Sequence, residues 1–327
     1  MTSSGQSPPS SRSRWPGRLI TVGRWVFAIA VLIALVKVAL DNASALRDVD
    51  LQIQWAWLVA ALPIGLAAGV VLPLGWRRLV AAYGVAISRG HAIRVWCLSQ
   101  TARYLPTGIA GFAARVVMAA KEGVPRSLTS ATLAIEIGLL AAWAGLIAGV
   151  FTPSSVLATP WRVLLGVGSA VAIAALPALL ALGGRVFPRV PALAPHLLDR
   201  RQMHEATLVY GVNAALKSLR WVMIAAGVLT IHGSDIPLLI GAEALGVLAG
   251  LIGITPAGIG VREAVIAGAL RDRFGFADAF ALAIIARAWD FVVELVWIGV
   301  ALVLRRRMRA DPATSDRAAP ASSLGDA

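Results

Sequence analysis

Several ionisable side chains of this sequence lie inside stretches that are otherwise apolar, and their spacing is helical. Arg287, Asp290 and Glu294 follow an i, i+3, i+7 pattern and share one helix face. Asn213, Lys217 and Arg220 follow i, i+4, i+7 and share another, while Glu136 and Glu243 stand nearly alone among apolar residues. A charge at the centre of a bilayer costs about 2.5–3.5 kcal/mol on insertion scales, so such residues face a partner or a wet cavity. Two readings are open. The charges neutralise one another as structural pairs or snorkel at span ends, or they line a site for a charged ligand. Glu136 and Arg287 sit at nearly equal depth in two related segments, which favours the ligand reading for them.

A second constellation is built on backbone. Leu105-Pro106-Thr107-Gly108-Ile109 and Thr255-Pro256-Ala257-Gly258-Ile259 are two versions of one motif. Proline removes a donor and breaks a helix, and glycine permits the tight reversal that follows. Irregular backbone at membrane depth is tolerated only where protein or a watery cavity surrounds it. Half-helices starting near Gly108 and Gly258 would aim their free N–H groups and positive dipole ends at the bilayer interior, where they suit an anionic group. Arg115 lies seven residues after Gly108 and Arg262 four after Gly258, so each adds a guanidinium fork suited to phosphate. The plainer alternative for either motif is a proline kink between packed helices.

Motifs of soluble enzymes are missing. His204-Glu205 does not continue into HExxH, Gly258-Ile259-Gly260 runs into Glu263 instead of a third glycine, and there is no GxxxxGK[ST] loop. The lone Cys97 allows no intrachain disulfide and no paired thiolate site. No catalytic residue, metal ligand set or cofactor is therefore expected.

The elements that must position these residues are membrane spans. Of 327 residues, 58% are apolar and only 14% charged. Mean hydropathy is +0.77. A soluble domain carries about 25% charged residues, so a water-exposed globule is excluded. The net charge of +13 would suggest nucleic acid in a soluble protein, but here the cations cluster between apolar runs. No nucleic-acid partner is expected. Runs of about 20 apolar residues, enough to cross a bilayer, occur at Val22–Leu40, Trp55–Gly75, Leu128–Val150, Trp161–Leu182, within Ala206–Ile231 and at Ala279–Leu304. Trp25, Trp55, Trp57, Trp76 and Trp161 at their ends resemble interfacial aromatic belts. Val22–Leu40 reads as a retained anchor, with a signal peptide cleaved near Ala43-Ser44-Ala45 as the alternative. Residues 1–21 and 306–327 read as disordered cytoplasmic tails around one transmembrane domain at 22–305.

Two segments, Ile93–Ala120 and Leu238–Leu270, fit poorly as ordinary spans because each is interrupted by the Pro-x-Gly motif. In both, the motif is followed by an Arg-bearing stretch, a glycine (Gly123, Gly275) and a long apolar helix, an offset of about 150 residues typical of a transporter-like duplication. Loop charges place both termini inside: Arg77, Arg78, Arg89, Arg94, Lys121 and Arg126 are inside, and the loops at Asp41–Asp50, Phe151–Pro160 and His232–Pro237 are outside. The fold class that satisfies every loop is all-α and polytopic: about six full spans plus two re-entrant helical hairpins. Three spans separate the hairpins, so they enter from opposite faces as an inverted repeat.

RYLPTGIAGFAAR (Arg103 to Arg115), Gly123, Glu136, TPAGIGVRE (Thr255 to Glu263) and Arg287 together resemble the paired signatures of flippase-like membrane proteins related to the transmembrane region of lysylphosphatidylglycerol synthases. The resemblance spans roughly Val22 to Arg305. The first motif departs in having Ala110-Gly111 where a plainer glycine pair is usual. In bifunctional relatives that region moves an aminoacylated anionic lipid between leaflets, while a separate cytosolic domain attaches the amino acid. The sequence reads as lacking such a domain, so the resemblance implies lipid binding or translocation and not aminoacyl transfer; the expected location is a bacterial inner (plasma) membrane. The implied headgroup site comprises Pro106, Gly108, Arg115, Pro256, Gly258, Gly260, Arg262 and Arg287, with Glu136, Glu263, Asp290 and Lys217 as charge partners. The expected partner is a membrane lipid with an anionic headgroup, with a separate lipid-modifying enzyme as a further one. The alternative is a non-catalytic membrane subunit or an integral-membrane transferase acting on a lipid-linked substrate.

Overall fold

A computed structural model describes residues 53–104, 110–186, 198–252, 258 and 260–310. Among them are nine α-helices and no strand: α1 Trp55–Ala81, α2 Arg89–Gln100, α3 Ala110–Ala120, α4 Arg126–Phe151, α5 Thr159–Val186, α6 Arg200–Val228, α7 Ile236–Leu251, α8 Val261–Phe274 and α9 Phe276–Ala310. The expected span Val22–Leu40, with Trp25, lies outside the described residues, as do both tails up to residue 21 and from residue 311. The other five spans appear as α1, α4, α5, α6 and α9, and the last runs beyond Leu304 to Ala310. α1, α4, α5 and the segment Gly233–Leu251 are long and apolar enough to cross a membrane. α6 and α9, with 29 and 35 residues, also have the length, but several ionisable residues, Lys217 and Arg220 or Arg287, Asp290 and Glu294, interrupt their apolar runs. The protein is an all-α polytopic membrane protein.

The molecule is built as two copies of one four-helix unit, α1–α4 and α6–α9. α1 and α6 pack along each other, α4 lies on α7 as α9 lies on α2, and α4 meets α6 as α9 meets α1. α1 and α6 run antiparallel, and matching hydrogen bonds tie their ends. The N–H of Gln54, the N-cap of α1, donates to the Gly227 carbonyl near the end of α6 at 2.9 Å. The N–H of Asp199, the N-cap of α6, donates to the Ala82 carbonyl at the end of α1 at 2.8 Å. Equivalent helices that run oppositely make the repeat inverted.

Packing inside the bundle repeats too. Trp76 of α1 and Trp221 of α6 are each fully buried, one in each of the two apolar cores. Trp143 of α4 seats its ring over Gly211 of α6 and donates from Nε1 to the Thr207 carbonyl at 3.0 Å. Trp297 of α9 seats over Gly69 of α1 and donates to the Leu66 carbonyl at 3.0 Å. An indole buried among helices needs an acceptor for its single donor, and a carbonyl one turn from a glycine supplies both acceptor and space.

One aromatic expectation is overturned. Trp55, Trp57 and Trp161 are exposed at helix ends, as a belt requires, but Trp76 is 0% exposed. Its Nε1 donates to Thr132 Oγ1 of α4 at 3.2 Å. The end of the apolar run was not the end of the helix, because α1 extends a further six residues beyond Gly75 and keeps Trp76 inside the bundle.

Both interrupted segments form helical hairpins. α2 and α3 have 12 and 11 residues, about 18 and 16 Å long, too short to cross roughly 30 Å of hydrocarbon singly. Their outer ends meet, since Glu122 just after α3 pairs with Arg94 and, at 3.1 Å, with His91 of α2. The second hairpin closes the same way. Asp235 before α7 accepts from Arg273 near the end of α8 at 2.7 and 3.0 Å, with His232 alongside. α2 follows the end of α1 and α7 follows the end of α6, so the two hairpins enter from opposite ends of the bundle.

Candidate functional site

The inner ends of the hairpin helices, at Gln100, Gly111, Gly250 and Leu251, converge on one cavity. Its volume is about 440 Å³, within the roughly 300–1,000 Å³ typical of small-molecule sites. Its wall carries Arg115, Lys217, Arg220, Arg262 and Arg287 against Glu136, Asp290 and Glu294, with Gly65, Gly69, Leu72 and Trp297 as part of the apolar remainder. The charged residues come from α3, α4, α6, α8 and α9, so both repeats contribute.

On the first-repeat side, Glu136 of α4 is the centre. Arg115 Nη1 of α3 lies 2.9 Å from its Oε1, and Tyr210 of α6 donates to Oε2 at 2.8 Å. Trp96 Nε1 of α2 is 3.4 Å from Oε1, and the Trp96 ring carries the Arg115 guanidinium 5.1 Å from its centroid. Arg115 Nε donates to Ser99 Oγ at 3.3 Å. With both oxygens and most of the guanidinium engaged, this pair satisfies the condition under which charges can be buried. Arg115 and Glu136 are 3% and 5% exposed.

The second-repeat side is looser and richer in cations. Asp290 of α9 takes Arg220 Nη1 of α6 on Oδ1 and Arg262 Nη1 of α8 on Oδ2, the latter at 3.5 Å. The other terminal nitrogen of Arg262 is 3.5 Å from Glu243 Oε1 of α7. Lys217 lies near Asp290 and Glu243, with Arg220 and Arg262 opposing, and makes no direct hydrogen bond or ion pair among the described residues. Arg287 Nε stands 3.9 Å from Glu263 Oε1.

The hairpin motif of the second repeat is tight. Gly258 has φ +69° and its Cα–H side faces Gly250 at the end of α7, where a Cβ would come 2.8 Å from the Gly250 Cα. A side chain there is excluded by conformation and by contact. Gly260, at φ +87°, opens α8, and its N–H donates to Glu263 Oε2 at 2.7 Å. That N–H is thus already spent on an internal carboxylate, and the helix begins at Val261, beyond Gly258.

Residues 25–298 match the family model of the lysylphosphatidylglycerol synthase transmembrane region. The chain belongs to this family. Membership makes it a multi-pass membrane protein of a lipid-handling family. Nothing matches among curated proteins or among solved structures.

Of the site residues expected from sequence, this member of the family gathers Arg115, Glu136, Lys217, Gly258, Arg262, Arg287 and Asp290 on one cavity. Glu263 stands behind Arg287, and Gly260 begins the helix that carries both Arg262 and Glu263. Pro106, Gly108 and Pro256 lie outside the described residues. Glu136 and Arg287 face the same cavity, and each has an ion-pair partner inside its own repeat, Arg115 and Glu263. Sequence reasoning missed Tyr210, Trp96 and Ser99 as supports of the Arg115–Glu136 pair. Arg220 was recognised only as a helix-face neighbour of Lys217. The signal for Trp96 and Ser99 was available, because both lie at helical spacing on an amphipathic arm beside Arg115.

Proposed function

We propose that this protein binds the anionic headgroup of a phospholipid or lipid-linked carrier in the central cavity and passes it between leaflets, without catalysing a reaction. The observation that carries this reading is the cavity itself. It lies between two hairpins that enter from opposite ends, and its wall combines several guanidinium groups and an ammonium with an apolar remainder. A headgroup phosphate fits the forks, and its acyl chains fit the apolar exterior of the bundle, where α5 exposes Trp161, Val163, Leu164, Val167 and Val171. A site at the interface of two inverted repeats, flanked by hairpins that enter from opposite ends, is the arrangement that alternating access uses.

The membrane is the bacterial plasma membrane in this proposal, with the arginine-rich end inside. Arg77, Arg78, Arg89, Arg94, Arg126, Arg200 and Arg201 gather where α1 ends and α6 begins, and Arg305, Arg306 and Arg307 lie at the far end of α9. By the positive-inside rule that end faces the cytosol.

Leaflet exchange in liposomes tests the function. Reconstituted protein should speed the exchange of a fluorescent phosphatidylglycerol well above that of a phosphatidylcholine probe, read by chemical quenching of the outer leaflet with and without a proton gradient. Exchange no faster than in protein-free liposomes for both probes would refute it.

A further inference from the structure

The cations on the cavity wall are unequally employed. Arg115 is matched by Glu136, and Arg287 stands against Glu263. Around Asp290 the balance differs. Arg220 and Arg262 share its carboxylate, and Lys217 stands one helical turn before Arg220 without a direct partner among the described residues. Glu243 reaches only the outer edge of Arg262, at 3.5 Å. Arg220 is 3% exposed, and its Nε and Nη2 have no hydrogen-bond partner among the described residues. A buried guanidinium with two unused donors is unfavourable until an acceptor reaches them.

We propose that Lys217, Arg220 and Arg262 form an oxyanion seat for the phosphate of a membrane-lipid headgroup, and that Asp290 fills the seat while no ligand is bound. The inference rests on the lipid-headgroup function proposed above. A carboxylate and a phosphate present similar pairs of oxygens to a guanidinium fork, so Asp290 imitates the ligand on the same donors. The imitation has a use. Three cations with no internal anion would trap phosphate, whereas Asp290 competes for the same forks and so promotes release. The opening of α8 is a poorer seat, because Glu263 already accepts the Gly260 N–H.

The experiment follows the thermal unfolding midpoint of the full chain in detergent. Three additives are titrated separately: inorganic phosphate, short-chain phosphatidylglycerol, and a diacylglycerol of the same chain length that lacks phosphate. Phosphatidylglycerol should raise the midpoint and the diacylglycerol should not. Asp290→Asn should lower the midpoint without ligand and tighten the apparent affinity about tenfold, and Lys217→Gln should weaken it by a similar factor. If both variants titrate as the parent does, the seat is wrong. If inorganic phosphate reproduces the whole gain, the ligand is a soluble oxyanion and the lipid assignment is overturned. Should Asp290→Asn fail to fold in every condition, Lys217→Gln decides alone, since removing Lys217 strands no direct partner. Leaflet exchange lost from the parent while Lys217-dependent binding persists would refute transport and keep the seat. Exchange retained with binding indifferent to Lys217 would refute the seat alone.

Discussion

The two repeats share a frame and differ in sign at matched depth, Glu136 against Arg287, although the added Arg262–Asp290 contact of the second keeps the polarity of the first. In the first, the hairpin arm α3 carries the cation Arg115 and the long helix α4 carries the carboxylate Glu136. In the second, α8 carries the carboxylate Glu263 and α9 carries the cation Arg287. The outer clasps are reversed as well, with Arg94 on α2 against Glu122 after α3, but Asp235 before α7 against Arg273 on α8. On a pseudo-two-fold axis equivalent positions approach one another. Identical charges there would repel across a low-dielectric cavity, by far more than in water. Opposite signs allow both repeats to bring a buried charge to the same space. Duplication supplies the architecture, and the reversal of sign makes it tolerable.

The largest effect should come from separating the tight pair. Glu136→Ala strands Arg115, which is 3% exposed, and should cost roughly 3–5 kcal/mol in thermal unfolding. Glu263→Ala breaks a 3.9 Å contact and frees one N–H, so its loss should be smaller, about 1–3 kcal/mol. Exchanging Arg115 and Glu136 for each other gives the first repeat the polarity of the Glu263–Arg287 contact and should recover much of the loss. Single and double variants that add strictly would show that the pair is not coupled.

Of intermediate size is the effect on the tryptophan seats. A Cβ at Gly69 would stand 2.4 Å from Trp297 Nε1, and one at Gly211 would stand 2.6 Å from the Trp143 ring. Gly69→Val and Gly211→Val should each destabilise by about 1–3 kcal/mol, an ordinary cost of overpacking. The comparison predicts that the two values agree. A large cost at one seat and none at the other would confine the symmetry to the backbone.

No change in stability is expected from the third test, which addresses orientation. In a background with Cys97→Ser, Ser88→Cys at the start of α2 should react with an impermeant thiol reagent only after permeabilisation. Ser155→Cys, between α4 and α5, should react from outside in intact cells. Both positions are exposed. Equal labelling of the two from outside would contradict hairpins that enter from opposite faces.

Much of this frame was legible in advance. Runs of apolar residues located five of the described helices, and the paired Pro-x-Gly motifs located both hairpins. The offset of about 150 residues implied a repeat, and the three spans counted between the hairpins made it inverted. What stayed hidden was partnership. Glu136 and Arg287 are equivalent in sequence, which suggests that each serves the other, yet their ion-pair partners lie 21 and 24 residues away within their own repeats. Equivalence reports position along a helix and says nothing of which neighbour reaches across first. Trp76 misled for a similar reason. A tryptophan at the end of an apolar run marks an interface only if the helix ends there too.

Synthesis order gives the charges of α6 a further meaning. The Arg115–Glu136 pair closes within a single short stretch of chain, so each is neutralised almost as soon as both have emerged. Arg220 instead waits for Asp290, 70 residues downstream. At about 5–20 residues per second, some 4–14 seconds pass before that carboxylate is made. During that interval α6 holds Lys217 and Arg220 with no aspartate to meet them, and settling it in lipid at once would be costly. Settling α6 in lipid is therefore least costly once α9 has been made, which favours entry of the second repeat as a unit.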